Sequence, residues 1–430
     1  MKKSICTTIL CVFILTMGLW YNFPLIISDH GVEAFDWWSN GIMIADMMYY
    51  ETYEEEGIFL NMVRPSILYP EDYTEAYGIY EKMFDSYQVF ELETYEQYTS
   101  NVVVQRYLYH LLLDILPISH NTLLMILEFM NCLMAAVMIT IILKWISGIT
   151  NNITVVIIAS TLVLFCPFFA MYGKNLYWCM WTIFLPMSAM ICLLDSTGFS
   201  KLNNKKQIIS LIVGSFCTCL VKQIFYFELV STVMIAMSIP VFYYCINNSN
   251  KIKELVKKIT ALIIGAIASF GATMLIKYRM LCVQYGKLEA IDMISSNIIS
   301  RTLGEGPGAV EVDLKLVLRM MFYKVYLSCK NLFVIDFKTT IFILGIVIIV
   351  CMFIVIIEKK KLDRSFVALL VCCCISIAAP VSWFVLAAPH SYIHNVHVSI
   401  AWFCPYGILF LALIAKIILL LIKGTNIRNG

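Results

Sequence analysis

The chain predicts an all-α polytopic membrane protein with about ten transmembrane helices and a large outer loop after the first. Three features carry that expectation. Apolar residues make up 60% of the 430 and charged residues only 14%, against about 45–50% and about 25% in soluble proteins. Several apolar stretches reach the ~20 residues that cross ~30 Å of hydrocarbon. The basic clusters between them all fall on one side of the resulting topology. The net charge of +2 says little as a total, because the two signs are sorted by side.

Lys2 and Lys3 precede an apolar run from Ile5 to Ile27. It is longer than the about 7–15 residues of a signal-peptide core and no A-x-A-like site follows, so 1–27 reads as a retained first transmembrane helix. Residues 28–120 read as an extracytoplasmic loop with a surface helix. Between Asp29 and Glu96 lie sixteen of the 29 acidic residues, against only Arg64 and Lys82. Val102 to Ile118, interrupted by Gln105, Arg106, His110 and Asp114, is too polar for a lipid-exposed span. It reads as a helix at the outer surface or tucked between spans.

A transmembrane bundle is expected over 121–280, with spans near 121–144, 152–172, 177–196, 208–223, 225–245 and 259–280. The short pair around Lys222 is either two spans or one broken element. Residues 281–338 read as a second extracytoplasmic loop, with a Gly/Pro-rich turn at Gly304–Gly308 and an interfacial helix from Leu314 to Leu332. That helix would bear Lys315, Arg319, Lys324 and Lys330, which suits lipid headgroups or phosphates. Residues 339–430 hold the C-terminal helices, near 339–357, 365–388 and 398–422. Lys201/Lys205/Lys206, Lys251/Lys253/Lys257/Lys258, Lys359/Lys360/Lys361/Arg364 and Lys423/Arg428 then share the side of Lys2 and Lys3. Both termini are therefore expected in the cytoplasm. None of the sixteen cysteines lies between Asn22 and Met130, so no disulfide framework is expected in the outer loop.

Sorting polar residues by side gathers a constellation at the outer ends of the spans. It comprises Asp29, His30, Glu33 and Asp36 after the first span, then Lys174, Asn175, Tyr177 and Trp178 in the turn between the third and fourth. Lys222 and Glu228 flank the break, Arg301 precedes the Gly-rich turn, and His390, Tyr392, His394 and His397 occupy the last turn. Each has a plainer reading. The aspartates suit a solvated acidic loop, Tyr177 and Trp178 an interfacial anchor, and Lys222 a snorkelling side chain. Glu228, set among Phe225, Tyr226, Phe227 and Leu229, needs a partner, and Lys222 is the nearest basic residue in sequence. His390, His394 and His397 would share one face of a helix. Zinc is the sharp reading there, yet no Glu follows His390 as in H-E-x-x-H. Contact with a phosphate or sugar hydroxyl suits them better, and no cofactor is expected.

Three short stretches carry a resemblance. They are Lys174-Asn175-Leu176-Tyr177-Trp178 with Pro186, Lys222 with Phe225-Tyr226-Phe227-Glu228, and Ser382-Trp383-Phe384 running into His390-Ser391-Tyr392-Ile393-His394. With the overall plan, they resemble the C-type (GT-C) membrane glycosyltransferases and poorly characterised bacterial membrane proteins linked to surface-polysaccharide synthesis. The resemblance implies a plasma-membrane enzyme that takes a sugar from a polyprenyl-phosphate donor to an extracytoplasmic glycan or lipid-linked acceptor. The bilayer is its other partner, and no nucleic acid is expected. It implies Asp29 or Asp36 as catalytic base, with Lys222, Arg301, His390 and His394 holding the donor phosphate. Two rivals are a flippase for lipid-linked oligosaccharides, which inverted repeats would favour, and a non-catalytic partner of a polysaccharide assembly machine.

Overall fold

The fold is given by a computed structural model that describes residues 2–21, 30–53, 62–65, 95–248, 251–305, 312–323, 325–329, 333–356, 362–394 and 397–428. The described chain is an all-α membrane protein. In order come α1 (Lys2–Trp20), α2 (His30–Tyr53), β1 (Met62–Pro65), β2 (Tyr95–Tyr98), α3 (Gln105–Ile115), α4 (His120–Thr150), α5 (Ile153–Phe165) and α6 (Pro167–Lys174). Then follow α7 (Trp181–Asp195), α8 (Thr197–Lys201), α9 (Asn204–Phe225), α10 (Val230–Asn247), α11 (Ile252–Tyr285) and α12 (Lys287–Leu303). Last are α13 (Leu314–Tyr323), β3 (Val325–Cys329), β4 (Phe333–Asp336), α14 (Phe337–Ile356), α15 (Arg364–Ser376), α16 (Ala378–Leu386), α17 (Ala388–Ile393), α18 (Val398–Trp402), a π turn at Phe403–Gly407 and α19 (Ile408–Arg428).

Six stretches are long and apolar enough to cross a bilayer: His120–Thr150, Asn204–Phe225, Val230–Asn247, Ile252–Tyr285, Arg364–Leu386 and Val398–Leu419. Four shorter apolar helices, Cys6–Trp20, Ile153–Leu164, Trp181–Asp195 and Lys338–Phe353, fall in the remaining predicted spans. Large apolar side chains such as Ile267 and Phe342 stay exposed on these helices (65% and 69%), as a lipid-facing surface requires.

Helix ends follow from local chemistry. Ser119, Asn152, Ser196 and Asn203 cap α4, α5, α8 and α9, each side-chain oxygen accepting a backbone N–H of the first turn, which satisfies a donor the helix leaves unpaired. Gly265 lets α11 lie directly on α9. A Cβ there would sit 2.4 Å from the Ile212 carbonyl oxygen, and Ser215 Oγ donates to the Leu262 carbonyl across the same crossing at 2.7 Å. Close approach through small residues is how helices associate where lipid removes the hydrophobic drive between them.

The structure differs from the sequence reading in three places. The acidic segment after the first span opens with a 24-residue helix, α2, whose residues Ile42 to Met48 are buried. Its acidic and apolar residues look loop-like when averaged along the chain, whereas α2 closes against α3 and α6. The polar helix α3 takes the second of its two expected places, tucked in, with Gln105, Arg106, Tyr109 and His110 buried. The predicted interfacial helix from Leu314 to Leu332 stops at Tyr323, and β3 and β4 follow as an antiparallel hairpin. Val325, Tyr326, Phe333 and Val334 supply the β-branched and aromatic residues that favour a pleated surface. The sequence reading also lacked α12, which folds back beside α11 after Gly286, a residue at φ +84.

Candidate functional site

The break between α9 and α10 organises the site. Residues Tyr226 to Leu229 leave the helical path, with Leu229 at φ 61, and the carbonyls at the end of α9 lose their intrahelical partners. Lys222 supplies replacements. Its Nζ donates to the Tyr226 and Glu228 carbonyl oxygens at 2.8 Å each and lies 3.4 Å from the centre of the Tyr226 ring. The expected pairing of Lys222 with the Glu228 carboxylate is therefore not what forms: the amine holds the backbone of the break and is only 1% exposed.

The Glu228 carboxylate turns the other way. Its Oε1 lies 3.4 Å from His390 Nε2 and 3.6 Å from Arg301 Nη1, while Oε2 is buried without a hydrogen-bond partner. Burial alone would raise this carboxyl, but His390 and the Arg301 guanidinium outweigh it and hold the group well below the usual carboxylate range. Burial lowers His390 despite the carboxylate beside it. At neutral pH Arg301 is thus the full positive charge against Glu228.

Beside these groups opens a cavity of about 480 Å³. Glu228, Lys277, Arg301 and His390 line it, together with Met234, Phe270, Met274, Trp383 and Leu386. α10 and α11 run in opposite directions, and Lys277 lies at the break end of α11. Phe270 is seven residues further in, about 10 Å at 1.5 Å per residue. Met234 lies more than one turn into α10. The cavity thus sets a few charged groups near the break within a largely apolar lining, which suits an amphiphile with an anionic head.

The three stretches singled out in the sequence meet at this place. Trp178 packs edge-on against Tyr226 at 5.3 Å and His397 at 4.3 Å between ring centres. His390, His394 and His397 form a ladder of rings, 4.5 Å and 5.3 Å apart, ending in a hydrogen bond between His397 Nδ1 and the Tyr172 hydroxyl. α17 ends at Ile393, so the rings meet through the following turn rather than along one helix face. Burial drives His394 and His397 down to about 3.

Asn175 is completely buried and builds the turn. Its Oδ1 accepts from the Tyr177 and Trp178 N–H groups at 2.9 and 2.8 Å, and its Nδ2 donates to Ser39 Oγ at 2.7 Å. Tyr177 and Trp178, 2% and 5% exposed, are packed inside rather than anchored at an interface. Tyr177 shares hydrogen bonds with Tyr98 and Asn101.

Of the sequence candidates, Glu228, Arg301 and His390 come together at the cavity. His394 and Trp178 stand one ring behind, and Lys222, Asn175 and Tyr177 support the backbone. Lys174 ends α6 half-buried and Tyr392 is partly buried against the core, and neither lines the cavity. Asp29 lies outside the described residues, and of Asp36 only its place in α2 is described.

Two groups escaped the sequence reading. Lys277, 3% exposed, donates to the Asn101 carbonyl at 2.9 Å, and a lysine that far inside an apolar stretch was itself a signal of function. Asp46 is fully buried, 3.1 Å from Arg106 Nε and 2.9 Å from His110 Nε2. Its only signal was its place in the apolar run Ile42–Met48. Among the described residues no group of three or more His, Cys, Asp or Glu side chains is placed to hold a metal ion. No family model, curated protein or solved structure matches the chain.

Proposed function

We propose that the chain is a C-type membrane glycosyltransferase that moves a sugar from a polyprenyl-phosphate donor to an extracytoplasmic glycan or lipid-linked acceptor. The cavity at the break carries this reading. Its cationic side chains suit a phosphate, and its apolar walls along α10 and α11 suit the first isoprene units of the carrier. Arg301 offers a fork of N–H donors to phosphate oxygens, in surroundings where burial strengthens the attraction.

In this reading all ten apolar stretches are spans, the break faces the extracytoplasmic side of a bacterial plasma membrane, and both termini are cytoplasmic. The acidic segment after α1 and the segment from α12 to β4 then lie outside. Positive-inside sorting of the lysine clusters supports that orientation.

The test is transfer from a panel of radiolabelled polyprenyl-phosphate hexoses. Membranes carrying the full chain or its Arg301→Ala variant are incubated with total envelope glycan as acceptor. The expected result is chain-dependent incorporation that the variant loses. Donor that stays intact with every sugar, while surface glycan in the producing cell is normal, rejects the enzyme.

A further inference from the structure

We propose that Glu228 is the general base of the transfer, and that it is released for this role when the donor phosphate takes Arg301 from it. The inference rests on the glycosyltransferase reading and moves the base away from the loop aspartates that the resemblance implies.

A base for an acceptor hydroxyl must be ionised, must reach the cavity and must have a lone pair free. Glu228 meets all three: it lines the cavity, it is the one carboxylate among the described residues that does so, and its Oε1 is held only by contacts of 3.4 and 3.6 Å, longer than an ordinary hydrogen bond, so a lone pair comes free once Arg301 departs. His390, 3.4 Å from Oε1, orients the carboxylate.

Arg301 makes the base conditional. With the guanidinium 3.6 Å away, the carboxylate is stabilised as an ion and is a poor proton acceptor. A phosphate carries more charge and more acceptor oxygens than a carboxylate, so a bound donor draws the guanidinium to itself. Glu228 then loses its countercharge in a buried site and becomes more basic. Arg301 lies in the last turn of α12, which ends before Gly304 at φ 73, and its long side chain is 22% exposed, which leaves it room to turn.

The step balances as follows. The acceptor oxygen forms a bond to the anomeric carbon while its proton passes to Glu228 Oε1. The bond from that carbon to the phosphate oxygen breaks, and its electron pair leaves on polyprenyl phosphate, against Arg301 and Lys277. The proton on Glu228 returns to water after the product departs.

Glu228→Gln, Glu228→Asp and Arg301→Ala in the full chain test this, with two readouts: transfer from polyprenyl-phosphate hexoses, and binding of polyprenyl phosphate alone, followed by its protection against thermal unfolding. For Glu228→Gln the expected result is a 10²–10⁴-fold loss of turnover, roughly the contribution of general base catalysis, with polyprenyl phosphate bound as well as or more tightly than before. Tighter binding follows because the phosphate no longer competes with a carboxylate for Arg301. Glu228→Asp recovers part of the turnover, and Arg301→Ala weakens phosphate binding. Turnover within a few-fold of wild type in Glu228→Gln overturns the proposal, as does a parallel loss of binding and turnover in both Glu228 variants. A wild-type chain that binds polyprenyl phosphate but consumes no donor instead rejects the glycosyltransferase reading, and the proposal with it.

Discussion

Two buried carboxylates stand in different relations to their surroundings. Asp46 on α2 is enclosed between helices, with Arg106 and His110 both within 3.1 Å of one oxygen and the Tyr50 ring stacked on His110 at 4.0 Å. Glu228 sits at a helix break, with its nearest basic groups at 3.4 and 3.6 Å, one oxygen unpartnered, and a cavity beside it. A carboxylate with close ionic partners spends its charge on the fold. One held loosely beside a cavity keeps binding capacity for something else. The charge is the same in both, and only the completeness of the partner shell differs.

The comparison breaks most easily with paired substitutions. Asp46→Ala leaves Arg106 without its countercharge in a buried site and is expected to cost about 3–5 kcal/mol, read as a large fall in melting temperature in detergent. Glu228→Gln is expected to leave melting within a few degrees while abolishing transfer. Equal destabilisation by the two would mean that Glu228 is structural as well.

A smaller effect sharpens the contrast at the histidine ladder. His394 and His397 titrate near 3 in the fold, against about 6.5 in an unfolded chain. Above pH 6.5 both states are neutral and nothing is lost. As pH falls from 6.5 toward 3 the unfolded chain takes up protons that the fold refuses, so stability declines with acidity. At pH 5 the loss is on the order of 1–2 kcal/mol for each ring, and His397→Asn should flatten the dependence of melting temperature between pH 7 and 5. A melting curve that is flat in the wild type would remove the ladder's neutral, buried character.

Smaller again is Asn175→Ala. It removes the acceptor of the Tyr177 and Trp178 N–H groups, at about 1–2 kcal/mol by analogy with a lost helix cap. Because Trp178 then leans less firmly on His397, donor affinity should weaken by a few-fold. Unchanged affinity would show that the ladder and the cavity are positioned independently.

How far the molecule could be read from its residues depends on the range of the interaction concerned. The apolar helices are legible because a bilayer imposes one rule on every stretch of about 20 residues, and each of the ten predicted stretches contains one, six of them long enough to cross. Asn175, Trp178, Glu228 and His390 stand out for a related reason: polar and aromatic groups at the ends of apolar runs are unusual locally, and Arg301 is marked by the Gly-rich turn after it. The partner assignments were not legible. Lys222 is the nearest base to Glu228 in sequence, yet four residues of helix direct its amine to the carbonyls of the break. The guanidinium that faces the carboxylate arrives from α12, 73 positions later in the chain.

Sequence alone, then, determined the all-α membrane class and the position of the apolar helices, because hydrophobicity acts on each segment separately. It also marked the three short stretches that meet around Trp178. Tertiary structure alone decided that α2 and α3 pack inward around Asp46, that α13 gives way to a hairpin, that Lys277 joins the site, and that Glu228 faces Arg301 and His390 beside a cavity. Those outcomes depend on which surfaces close against one another. Contacts between residues far apart in the chain are set by the packing of whole helices, and no local pattern encodes them.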